Sequence, residues 1–486
     1  MPAVFGIGAI LLLFLLVPLM GREKVLWTAL GLAVSPALVY FSRFYIQETL
    51  LVFFLAGFIA ALWRYRLRPS WVWAAAAGLF AGMMYATKET SVIAFGAIAA
   101  AFLLTWLTTG KGMRGDAPRK RGMSGGAREP GEKRDAPKSQ KNFPEEPGSE
   151  AGGADGRGSP AGRPRTGLRW AHLALGLVVA AFIAVLFFTS FFRNPRGFID
   201  SILSFKIYFA KAGDAGFHVH PWSYYLGMLA YSKTGSGPIW SEALILALAA
   251  VGIAAAFRHR PIGAFSKSGK WHTANGSFLA FLSFYTAIST AAYSFIPYKT
   301  PWNILPFYLG FILLAGIGAG VFRQAIKNQT GRAAVLVLLA AGFAHLGAQA
   351  RSAALVYPAD SRNPYVYAQT SPGFLQLIRR VGDLAAVHPD GQNMLIAVVA
   401  GPYETWPLPW SLRRFGRVGY WTSADGVGSL DGADVIITDT AQAGRLESTL
   451  SVSFQSEYYE LRPNVFLTLH IRNDLWDAYL KSRTGQ

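Results

Sequence analysis

The 486-residue chain is 52% hydrophobic and 15% charged, carries 34 Phe, 20 Tyr and 14 Trp, and has a mean hydropathy of +0.29. That balance excludes a single soluble globule and fits a polytopic membrane protein with a polar portion. Zero cysteines exclude disulfides, thiolate metal sites and cysteine nucleophiles, while the net charge of +19 lies mostly in short loops and one polar insert, which argues for a cytoplasmic membrane face and against a nucleic-acid partner.

Apolar runs of roughly 17–23 residues, enough to cross a bilayer, recur through the N-terminal part of the chain. They are read at Pro2–Met20, Val25–Phe41, Ile46–Trp63, Trp71–Ala86 and Ser91–Leu107. They continue at Trp170–Phe192, Pro238–Phe257, Asn275–Ile296, Pro301–Phe322 and Ala333–Ala350, which makes ten candidate spans. Between them, basic loops alternate with a second class. The basic class holds Arg22 and Lys24; Arg64, Arg66 and Arg68; the insert up to Arg169; Arg258 to Lys270; and Arg323, Lys327 and Arg332. The other class holds Arg43 to Glu48, Thr87 to Thr90, Arg193 to Gly237 and Pro297 to Thr300.

The positive-inside rule puts the first class in the cytoplasm and the second outside. The first span then begins outside, and ten spans return the chain to that side. No basic stretch follows Met1, so no cleavable signal peptide is read. Residues 110–169, rich in Gly, Pro, Arg, Lys and Glu, cannot bury enough apolar surface to order and are expected to form a disordered cytoplasmic insert. The triplets Asn275-Gly276-Ser277 and Asn328-Gln329-Thr330 fall at the inner face, which discounts them as glycosylation sites.

After Arg351 the composition changes. Pro372 to Val387 has helical periodicity, and Met394–Val399, Ala433–Thr438 and Val465–Ile471 read as buried strands, the last entered through the turn Arg462-Pro463-Asn464. Residues 351–486 are therefore expected to be a small extracytoplasmic α/β domain, following membrane modules at 1–109 and 170–350.

Each outer loop carries polar groups that could share a cavity: Ser42 to Glu48, Tyr85 to Thr90, His218 to Tyr225, and Pro297 to Asn303. Cations and hydroxyls suit a phosphate, aromatics suit sugar faces, and a carboxylate serves as base or metal ligand. The plainer readings stand beside these. Arg43 and Tyr45 suit an interfacial anchor, Lys88 and Glu89 suit solvated helix caps, and Pro301 with Trp302 suits a helix start at the membrane surface. His218 and His220 could chelate a divalent metal with Glu48 or Asp214, although an H-x-H in a loop is a weak signal. Glu242 stands out as a lone carboxylate near a helix start.

The stretches Phe41 to Glu48, Tyr85 to Thr90, Pro297 to Asn303, Arg362 to Thr370 and Trp406-Pro407-Leu408-Pro409-Trp410 together resemble one family. These are the prokaryotic flippase activity-associated membrane proteins, related to glycosyltransferase family 39 and the lipid A aminoarabinose transferases. The resemblance implies a mostly α, GT-C-like helical bundle with an outer catalytic cavity and a C-terminal extracytoplasmic domain. It implies transfer of a sugar from a polyprenyl-phosphate carrier to a glycan, lipid or protein acceptor at the plasma or inner membrane. Relative to that class, the first helix and first outer loop are expected to be missing here.

On this resemblance Glu48 takes the second acidic site, positioning the acceptor or a metal, and Arg43 supports Glu48 or the phosphate. Lys88 and Lys299 meet the carrier phosphate, and Tyr45, Glu89, His218, His220, Trp222, Tyr298, Trp302 and Asn303 line the substrate. The alternatives are a non-catalytic partner in lipid-linked oligosaccharide flipping, or an inactive scaffold.

Overall fold

The computed structural model describes residues 1–109, 169–212, 219–257, 276–447 and 450–484. Most of the insert expected to be disordered, and His218, lie outside the described residues.

The membrane part opens with α1 (Pro2–Leu12) and α2 (Val17–Met20), joined through one tighter turn into a single apolar stretch. Next come α3 (Arg22–Val34) and α4 (Pro36–Arg43), which meet at 55°. The bend has a local cause. Pro36 cannot donate into the preceding turn, and Ser35 restarts the helix by accepting from the Leu38 amide. Three helices follow: α5 (Glu48–Leu67), α6 (Trp71–Thr87) and α7 (Ser91–Thr109).

Beyond the insert come α8 (Trp170–Phe188), α9 (Gly197–Ala212), α10 (Tyr224–Ala230), α11 (Ala243–Phe257) and α12 (Gly276–Phe295). The series ends with α13 (Leu305–Ala325), entered through a turn at Pro301–Ile304, and α14 (Gln329–Arg351).

Each of the ten expected apolar runs is helical, but they do not all qualify as full spans. Among the described residues seven helices are long and apolar enough to cross a membrane, or eight if the bent α3–α4 pair is one span. α6 and α11 are apolar but shorter, at 17 and 15 residues. The run read to Phe192 stops at Phe188, where Ser190, Phe191 and Phe192 turn with positive φ. The run read from Pro238 begins at Ala243, because Trp240 pairs back on Ser232 instead.

α13 is the axis of the bundle, with α3, α11 and α12 packed on it. Small residues permit the close approach that lipid-embedded helices need. A Cβ at Gly316 would lie 1.9 Å from Thr28 Oγ1, and one at Gly318 would lie 1.8 Å from the Leu248 carbonyl. At one end of the bundle Arg323 holds Glu23 through two hydrogen bonds of 2.5 and 2.8 Å.

The C-terminal domain contains α15 (Pro372–Val387), β1 (Leu395–Val399), α16 (Leu408–Ser411), β2 (Arg417–Trp421), β3 (Val435–Asp439), α17 (Thr440–Glu447), β4 (Phe454–Arg462), β5 (Val465–Arg472) and α18 (Asn473–Thr484). The sheet order is β2-β1-β3-β5-β4, with β1 parallel to β2 and β3, and β5 antiparallel to β3 and β4. The three expected strands are its centre. The two unanticipated ones, β2 and β4, are its edges. The segment 357–369 connects this domain to the membrane part.

Candidate active site

α5 and α6 run antiparallel, so the start of one lies beside the end of the other. Glu48 occupies the first turn of α5 and Lys88 caps the end of α6. Each charge complements its own helix dipole, and the two side chains pair directly. Glu48 is 2% exposed and Lys88 17%. Lys88 Nζ also donates to Asn303 Oδ1 at 3.3 Å, from the turn that opens α13. Glu48 Oε2 is buried and has no hydrogen-bond partner among the described residues. Three helix ends distant in sequence thus converge on one ionic group with a free acceptor oxygen.

Around it, Tyr225 lies near Asn303, and Tyr293 near Thr90 and within electrostatic reach of Glu48. Lys299 is adjacent in the chain but used differently. Its ammonium is buried and donates to the carbonyls of Ile296 at 2.6 Å and His220 at 3.0 Å. Burial holds its pKa below the ordinary lysine value. It fastens two loops, which also pair at Val219 and Tyr298. His220 stacks on Tyr224 with centroids 4.1 Å apart, and Trp302 meets Tyr367 edge-on at 5.1 Å.

Among the described residues, Arg43, Tyr45, Glu89 and Trp222 make no side-chain bond to the ionic group. Arg43 does not reach Glu48. It is exposed at the end of α4, with no side-chain bond among the described residues, and it lines a 190 Å³ apolar cavity with Ser42 and Thr49. The reason is geometric: Glu48 turns inward toward α6, and the partner expected in Arg43 is Lys88. Tyr45 and Trp222 are 85% and 67% exposed, and Glu89 makes no side-chain bond among the described residues.

Metal ligation by Glu48 also fits poorly, because its neighbours are an ammonium and an amide instead of further ligands. Among the described residues no three His, Asp or Glu side chains gather as a metal site requires.

One residue acquires an unforeseen weight. Glu242, 1% exposed just before α11, accepts from Ser35 Oγ (2.7 Å), the Ala37 amide (2.9 Å), Tyr308 (2.5 Å) and Tyr365 (2.8 Å). It caps the start of α4 beyond the bend and binds the 357–369 segment. Tyr40 bonds the Pro358 carbonyl and Trp240 the Arg362 carbonyl on that same segment, both at 2.8 Å. The signal available in sequence was a carboxylate at membrane depth, a position that demands several donors.

No protein-family model and no curated protein matches the chain. Among solved structures it is similar to ArnT from Cupriavidus metallidurans in the apo state, at 14% identity and a TM-score of 0.54, over 96% of this chain and 82% of that one. It is also similar to the same enzyme bound to undecaprenyl phosphate, at 14% identity and a TM-score of 0.52 over the same shares. The chain is a multi-pass membrane protein with the GT-C-type helical bundle of ArnT and a small C-terminal sheet domain.

Proposed function

We propose that the protein is a membrane glycosyltransferase that moves a sugar from a polyprenyl-phosphate carrier to a glycan, lipid or protein acceptor on the outer side of the plasma or inner membrane. The observation that carries this reading is the Glu48–Lys88–Asn303 group, where a buried carboxylate with one free oxygen lies beside a partly exposed ammonium. Support comes from the fold shared with ArnT, one structure of which holds undecaprenyl phosphate.

In the reaction, the acceptor hydroxyl oxygen forms a bond to the anomeric carbon as the carbon–oxygen bond to the phosphate breaks. The bonding pair leaves with the phosphate, and the hydroxyl proton passes to Glu48 Oε2. Lys88 leaves its pairing with Glu48 to meet the charge developing on the departing phosphate, with Asn303 steering the ammonium. Lys299 acts by holding the His220 loop and the Ile296 turn together. The positive loops favour a cytoplasmic position for the opposite end of the bundle, and with it an outer position for this group and the C-terminal domain.

The test is release of polyprenyl phosphate by purified protein in proteoliposomes, given a panel of polyprenyl-phosphate-linked sugars and an acceptor extract. Glu48→Gln and Lys88→Ala should each lower release at least about a hundredfold. Undiminished release by both variants would remove these roles. Lipid-linked oligosaccharide translocation without any release by the wild type would favour the non-catalytic flipping partner instead.

A further inference from the structure

α6 is unusually slender on one face. Ala74, Ala77, Gly78 and Ala81 leave a trough on it, walled by α5 on one side and α8 on the other. The walls come close because α6 and α8 pack through their backbones: a Cβ at Gly78 would meet the Gly176 carbonyl at 2.2 Å. The result is an apolar cavity of about 210 Å³. It runs from Tyr65 to Phe58 on α5 and from His172 to Ala180 on α8. At 1.5 Å per residue that is roughly 10–12 Å, most of one leaflet's hydrocarbon depth. Among the described candidate spans α8 is the least buried, with only 6% of its apolar window inside the protein.

The head of the trough is polar and positive. Tyr65 Oη and His172 Nδ1 lie 3.1 Å apart, and the Arg169 amide donates to the same hydroxyl at 3.4 Å. Arg64 lies over the Trp73 ring at 5.0 Å, at the rim between α5 and α6, with Arg68 exposed just beyond α5. This head sits 17 residues along α5 from Glu48, roughly 26 Å away at the opposite end of the bundle. It is therefore separate from the ionic group described above.

We infer that the α5–α6–α8 trough is a binding site for an anionic glycerophospholipid of the leaflet opposite the Glu48 group. One acyl chain lies along the alanine floor, and the phosphate is met by Arg64, Arg169 and the Tyr65–His172 pair. An apolar channel of leaflet depth with two arginines, Arg64 and Arg169, at its head matches a chain with a negative head. A zwitterionic lipid offers the same chain without the net charge, and this difference makes the inference testable.

The experiment is native mass spectrometry of the full chain taken from equimolar phosphatidylglycerol and phosphatidylcholine. The wild type should retain phosphatidylglycerol over phosphatidylcholine by about 25-fold, as expected for two nearby arginines at about fivefold each. Arg64→Gln should lower that preference about fivefold. Arg64→Glu combined with Arg169→Glu should abolish it. Ala81→Phe, which fills the floor, should reduce retention of both lipids. Equal retention of the two lipids by the wild type, a reading that needs no variant, would overturn the inference. So would an unchanged preference in Arg64→Gln together with unchanged retention in Ala81→Phe.

Discussion

Glu48 and Lys88 are charged groups held at the ends of neighbouring helices, and their separate removal should differ from their joint removal. Truncating the lysine leaves a carboxylate that is 2% exposed without its counter-charge. Stranding a buried ion in this way costs roughly 3–5 kcal/mol, whereas replacing both partners by neutral groups is often close to neutral. Thermal unfolding in detergent should therefore show Lys88→Ala well below the wild type, with Glu48→Gln/Lys88→Met recovering most of the loss. A double variant no more stable than Lys88→Ala would mean that the two side chains do not depend on each other. Glu48, Lys88 and Asn303 were legible in the sequence because each is polar in a short loop between apolar runs. Their pairing was not legible. Arg43 is closer in sequence to Glu48, but α4 ends with its guanidinium facing outward, and only the antiparallel α5–α6 packing brings Lys88 in. Lys299 misled in the other direction: a lysine beside prolines and aromatics suggests a phosphate ligand, yet two carbonyls occupy its ammonium.

Glu242 links elements that share little sequence proximity: the α3–α4 bend, α11, α13 and the 357–369 segment. Glu242→Leu removes the acceptor for four donors, which should destabilise the protein by at least about 3 kcal/mol. It should also release the Tyr365 end of the segment. Limited proteolysis would report this as faster cutting between 357 and 369, with the C-terminal domain itself left whole. Equal cutting rates in variant and wild type would show that Tyr40 and Trp240 suffice to hold the segment. The elements themselves divide by how much of each is buried. β1, β3 and β5 are central strands with continuous apolar runs, and sequence periodicity found them. β2 and β4 are edges whose burial alternates or is partial, as in Phe454-Gln455-Ser456-Glu457-Tyr458, so no apolar run announced them. Similarly, the apolar run through Ser35 and Pro36 reads as one span, while its backbone breaks where Glu242 supplies the missing acceptor.

For the molecule as a whole, the alternating loops predict which end faces which compartment, and the absence of native cysteine makes that simple to measure. Thr422, in the C-terminal domain, and Lys327, between α13 and α14, are both exposed. In intact cells, Thr422→Cys should react with a membrane-impermeant maleimide, and Lys327→Cys should react only after the membrane is opened. Labelling of both from the same side would remove the outer assignment of the sheet domain and, with it, the proposed site of reaction.

The segments on either side of the insert do not form separate bodies: α3 packs on α13, α7 on α12 and α6 on α8, while Glu23 grips Arg323 and Lys88 reaches Asn303. Continuity of the polypeptide between 109 and 169 is thus not what keeps the bundle together. Two gene fragments divided there and co-expressed should reassemble in the membrane, so that a tag on the first retrieves the second.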